Sequence, residues 1–154
     1  MDYILKIHSF LRWALLLLMI VSIVKAAMSL SGKTPYTPND RKRTLFTMIA
    51  AHLQLIIGVV LYLTSPIVQL ARSNMASAMK DTALRYWTVE HISMMIIAIV
   101  FITIGNIRSK KMDTDAGIYK QILIWFGLAL LIILVAMPWP FREPRSEEHT
   151  SELQ

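Results

Sequence analysis

Gln121-Ile-Leu-Ile-Trp-Phe-Gly-Leu-Ala-Leu-Leu-Ile-Ile-Leu-Val-Ala-Met137 contains no ionisable side chain and runs into Pro138-Trp139-Pro140. At about 1.5 Å per residue, such a run crosses the hydrocarbon of a bilayer as a helix. It shows no alternation of period two, which argues against a strand, and the prolines remove backbone donors and end the helix. Three further stretches read the same way. Residues 45–66 carry no charge, and residues 86–106 hold only Glu90 and His91 near their start. Residues 7–30 contain the uncharged run 13–24, with Lys25 close enough to one end to snorkel. The expected fold is therefore all-α: an integral membrane up-down-up-down four-helix bundle with helices at about 7–30, 45–66, 86–106 and 121–137.

Composition agrees. The chain has 154 residues, 55% hydrophobic and 17% charged, with a formal net charge of +6 and no cysteine. So many apolar groups exceed what a soluble core of this size buries. The missing cysteines exclude disulfides, thiolate zinc sites, iron–sulfur clusters and covalent haem attachment. Residues 145–154, Arg-Ser-Glu-Glu-His-Thr-Ser-Glu-Leu-Gln, read as the first-frame translation of a common sequencing-library adaptor, so the native domain is expected over residues 1–144. Removing that tail's one Arg and three Glu leaves 15 basic and 7 acidic residues, a net +8. Lys6 and Arg12 ahead of the first apolar run, with Ala26-Ala27 after it, also suit a cleavable signal peptide, but Lys25 sits badly in a cleavage region.

The basic residues cluster by loop. The first loop carries Lys33, Arg41, Lys42 and Arg43, and the third carries Arg108, Lys110, Lys111 and Lys120, against only Arg72, Lys80 and Arg85 in the longer second loop. The positive-inside rule then puts loops one and three in the cytoplasm of a bacterial inner membrane and both termini outside. The charge reports orientation, with contacts to anionic lipid, rather than a nucleic-acid partner. In the outer loop, residues 67–79 alternate apolar and polar groups as a short interfacial helix would. Gly32-Lys33-Thr34 resembles the end of a phosphate-binding loop, but the glycine required five residues earlier is Ala27. No hydrolase or transferase motif is present.

Ionisable residues inside such segments cost several kcal/mol and mark function by default. The informative ones are His8, Arg12, His52, Glu90 and His91. Counting along each helix from its midpoint puts His8, Arg12, Glu90 and His91 about 13, 7, 9 and 7 Å toward the outer side, and His52 about 6 Å toward the inner. Arg12 and Glu90 are thus a candidate ion pair, and His8 and His91 are candidate ligands for a haem iron, with His52 as alternative. Neutral imidazole suits haem iron or copper, and without cysteine a haem would be non-covalent. Arg12 would serve a propionate or Glu90. Two other readings stay open: a non-redox scaffold or subunit whose polar groups lock helices together, and a proton- or metal-handling membrane protein.

Leu5-Lys6-Ile7-His8-Ser9-Phe10-Leu11-Arg12-Trp13, Ala51-His52-Leu53-Gln54, Arg85-Tyr86-Trp87-Thr88-Val89-Glu90-His91 and Pro138-Trp139-Pro140-Phe141-Arg142 resemble a family of small bacterial four-helix membrane proteins labelled cytochrome b-like. More remotely, the histidine early in helix one and the opening of helix three are similar to SirB proteins and to HemJ-type protoporphyrinogen oxidases. In the HemJ-type pattern a lysine stands near the place of His91, which departs from the oxidase pattern. The resemblance implies haem b and electron transfer within the membrane, with a quinone or a redox protein as partner by analogy.

Overall fold

A computed structural model describes residues 2–139; the tail 145–154 and the Pro140-Phe141-Arg142 end of the last motif lie outside the described residues. Among the described residues the chain is helical apart from short connections, with no strand. Among these residues four helices are long and apolar enough to cross a membrane. These are α1 (Asp2–Gly32), α2 (Pro38–Thr64), the continuous stretch Thr82–Lys110, and α7 (Asp115–Ala136). The third is built from α5 (Thr82–Arg85), a π-helical turn (Tyr86–Glu90) and α6 (His91–Lys110). Two short helices, α3 (Pro66–Ser73) and α4 (Met75–Ala78), fill the connection where one short helix over 67–79 was expected.

Local chemistry sets the boundaries. Thr37 caps α2 reciprocally with Asp40, and Pro38 takes the first-turn position where its missing N–H costs nothing. The helix therefore begins well before its apolar stretch at residue 45. Pro66 holds Ser65 in an extended conformation, ending α2, and the Ser65 hydroxyl then caps α3. Asp81 and Thr114 cap α5 and α7 in the same manner. The tripeptide Gly32-Lys33-Thr34 is the C-terminal turn of α1. Its Thr34 N–H reaches back to the Ser29 carbonyl at 3.1 Å, and Lys33 takes a positive φ of 53°.

α1 packs against α2 and α7, and α6 packs against the same two neighbours. Buried alanines at 26, 51, 98 and 129 and Gly105 allow these approaches, with Met19, Ile102 and Phe126 filling the middle. Each long apolar window is at most one third buried. The remaining surface is aliphatic and aromatic, with Phe10 77%, Leu17 63% and Leu131 62% exposed. A monomer in water does not display apolar area on this scale, whereas lipid contact accommodates it.

At the end of the molecule that holds the α1–α2 loop, Tyr119 ties three elements together. Its hydroxyl lies 3.0 Å from the Pro35 carbonyl and 3.1 Å from the Asp40 carboxylate. Asp40 also accepts from the Thr37 N–H, the Thr37 hydroxyl and Arg43 Nη1. Burial raises the Tyr36 phenol above its ordinary pKa, so it stays neutral against Thr44 and packs edge-on to Tyr119.

Candidate functional site

The opposite end is less well satisfied. Among the described residues, four buried side-chain atoms lack a hydrogen-bond partner: His8 Nδ1, Arg12 Nε, Gln54 Oε1 and Thr88 Oγ1. They come from three separate helical stretches joined at this level. Gln54 Nε2 donates to the His8 carbonyl at 2.9 Å, one turn before Gly58, whose missing side chain makes room for the His8 ring. The Tyr62 hydroxyl donates to the Thr88 carbonyl at 2.9 Å. Buried polar groups are normally paired, so a cluster of orphans marks a place built for something more than packing.

His8 lies within electrostatic range of both His91 and Arg12, and His91 within range of Arg12. The structure thus sets these three at the same end of the molecule. On α1 the spacing of four residues sets His8 and Arg12 on one face. The Arg12 guanidinium stacks over Trp13, 5.4 Å from the ring centroid.

His91 opens α6 directly after the π-helical turn, a feature that often marks functional positions. Its Nδ1 lies 3.3 Å from the Ala136 carbonyl at the end of α7, which also accepts from the Tyr86 hydroxyl at 2.6 Å. A carbonyl only accepts, so the imidazole proton sits on Nδ1 and Nε2 presents its lone pair. This is the arrangement in which a ligating histidine is oriented by a backbone acceptor. Trp87 packs against the ring with centroids 5.6 Å apart.

One expectation is corrected. The Arg12–Glu90 pair does not form. Glu90 instead accepts from Arg85 Nε at 2.7 Å across the π-helical turn, and both side chains are largely open. Depth along the helix placed Arg12 and Glu90 level, but Glu90 finds its partner within its own helical stretch. His52 is not with the other two histidines. It is exposed on α2, with Nδ1 2.8 Å from the Met48 carbonyl and Nε2 3.5 Å from Thr103 Oγ1. Sequence reasoning also passed over Tyr86 and Thr88. Neither residue type signals a π-helical turn, and the packing of α7 against α6 is what gives Tyr86 its partner.

Family models, curated proteins and solved structures give no match to the chain.

Proposed function

We propose that the chain is an integral membrane protein of the bacterial inner membrane whose four long helices run up-down-up-down with both termini outside, and that it binds haem b for electron transfer. The observation that carries the haem reading is the cluster of unpartnered His8 Nδ1 and Arg12 Nε beside a His91 oriented through Nδ1. Two imidazoles and one guanidinium suit a non-covalent haem: His8 and His91 would hold the iron and Arg12 would neutralise a propionate. When bound, the group supplies one-electron oxidation and reduction. The protein's part is to hold the imidazoles, to fix the His91 tautomer on the Ala136 carbonyl and to neutralise the propionate in an apolar surrounding. The electron partner is a membrane quinone or a redox protein.

The membrane setting is supported by the four apolar helices, and the orientation by the Lys and Arg excess in the loops at residues 33–37 and 111–114 and the helix ends beside them. The test is the reduced-minus-oxidised absorbance spectrum of purified protein made with ample haem. Haem bands that disappear in His8→Ala and His91→Ala and persist in His52→Ala bear the reading out. Their absence from the parent protein leaves a non-redox scaffold, and bands surviving both alanine variants remove this ligand pair.

A further inference from the structure

A groove of about 280 Å³ lies between α2 and α6, lined by His52, Leu55, Ile96, Ile99, Thr103 and Ile104. It is separate from the histidine pair. Thr103 is about 18 Å along α6 from His91, at ~1.5 Å per residue. Of the lining residues, only His52 and Thr103 carry polar side-chain atoms.

Both have committed their protons elsewhere. His52 Nδ1 lies 2.8 Å from the Met48 carbonyl, which only accepts, so Nδ1 carries the hydrogen and Nε2 a lone pair. Thr103 Oγ1 donates to the Ile99 carbonyl at 2.8 Å. The Thr103 hydroxyl also lies 3.5 Å from His52 Nε2, a long contact for a proton already bonded to Ile99. In an aliphatic groove at membrane depth, where water is scarce, the Nε2 lone pair calls for a hydrogen-bond donor from outside the chain.

We propose that this groove binds the headgroup of a membrane-soluble hydroquinone, one O–H donating to His52 Nε2 beside Thr103 and the ring lying against Ile96 and Ile99. Size agrees: an apolar cavity of about 150 Å³ accepts benzene. A groove of about 280 Å³ therefore has room for one substituted ring. The neighbouring surface of α2, where Ile56 and Val60 are exposed, lets a hydrocarbon tail pass into lipid. Acceptors facing the ligand also favour the reduced hydroquinone over the oxidised quinone, which offers acceptors only. The inference rests on the membrane reading and not on haem.

The experiment titrates the full chain in lipid nanodiscs with decyl-hydroquinone held reduced, with its quinone and with its dimethyl ether, against empty nanodiscs. Saturable binding is expected for the hydroquinone, with the ether and the quinone about ten-fold weaker for the loss of one hydrogen bond. His52→Leu should erase most of that difference, Thr103→Val, which keeps the Nε2 acceptor, should retain it, and His52→Gln, which restores an acceptor, should recover part of it. His8→Ala should leave the binding unchanged while removing haem bands. No saturable binding, equal affinity for the ether, or discrimination that survives His52→Leu would overturn the proposal. Extraction of the chain by alkaline carbonate would separately overturn the membrane reading.

Discussion

The His8 ring rests on Gly58: a Cβ built on that glycine would stand 3.2 Å from His8 Cε1. The contact is with the far end of a side chain, so the ring yields by a few tenths of an ångström and the helices need not separate. Alanine also favours the helix by about 1 kcal/mol over glycine. Gly58→Ala is thus expected to fold with stability within about 1 kcal/mol of the parent. Gly58→Leu, which fills the space of the ring, should abolish haem bands in a protein that still melts cooperatively. Unchanged bands in Gly58→Leu would remove His8 as a ligand.

Gly105 is a different case. A Cβ there would meet Trp125 Cβ at 2.7 Å and the Phe126 ring at 3.1 Å, and Trp125 Cβ is fixed to the backbone of α7. Relief requires α6 and α7 to move apart. Gly105→Ala should cost roughly 1–3 kcal/mol, as overpacking does. Gly127 has nothing within 4 Å of an added Cβ, so Gly127→Ala is the control, neutral or up to about 1 kcal/mol stabilising. Thermal unfolding in detergent compares the two, and equal midpoints would disprove the close approach.

Lys33 holds a φ of 53° at the end of α1, a conformation that crowds any Cβ. Glycine escapes that crowding, so Lys33→Gly should stabilise the chain by about 1 kcal/mol. Lys33→Val should destabilise it, since branching at Cβ worsens the contact. Matching midpoints for glycine and valine would show that the turn relaxes freely. Because Lys33 is one of several basic residues beside its loop, the orientation of the chain should survive both changes.

How far the sequence spoke for itself differs between helices and site. The long helices were legible because lipid-length apolar runs have few other uses, and residues 121–137 alone carry that reading. The π-helical turn was not, since Tyr86–Glu90 contains ordinary helix and strand formers. Across that turn Arg85, not Arg12, meets Glu90. His8 and Arg12 were legible as neighbours through their spacing alone. His52, an alternative ligand on the sequence, could not be placed by its depth alone, because depth constrains one coordinate and its facing direction depends on which side of α2 meets α6. The Thr37–Asp40 capping pair was readable in principle, as a Thr followed three residues later by an acid. Its bond to Tyr119 was not, as it spans 79 positions.

Asp40 is the central acceptor of that far end, and its removal should cost more than a surface charge does. Asp40→Ala removes the reciprocal half of the α2 capping box and takes the carboxylate acceptor from Thr37, Arg43 and Tyr119, whose hydroxyl keeps the Pro35 carbonyl, a combined loss of roughly 2–4 kcal/mol. Tyr119→Phe keeps the edge-on contact with Tyr36, centroids 5.3 Å apart, and loses only polar partners, about 1 kcal/mol. Arg85→Ala breaks an exposed pair and should fall within about 1 kcal/mol of the parent. Chemical denaturation of the three variants should rank them in that order. An Asp40→Ala protein as stable as Arg85→Ala would show that the network around Tyr119 holds nothing.

Tyr86 and His91 compete for one carbonyl, that of Ala136, at 2.6 and 3.3 Å. The shorter bond belongs to the phenol, so the imidazole has the weaker share. Tyr86→Phe removes the competitor and leaves the ring, its contact with Trp87 and its helix position in place. The His91 Nδ1–H should then bind the carbonyl more closely, and a stronger hydrogen bond at Nδ1 makes Nε2 more basic. A more basic His91 imidazole would favour the oxidised state of a haem it held, so the midpoint potential should fall while the haem bands remain. The conservative change thus separates positioning from packing, since a merely structural role would alter the melting temperature and leave the potential alone. Redox titration of the parent and Tyr86→Phe, with Tyr86→Leu as the packing control, measures this. A potential that rises or stays fixed in Tyr86→Phe would show that the Ala136 carbonyl does not tune His91.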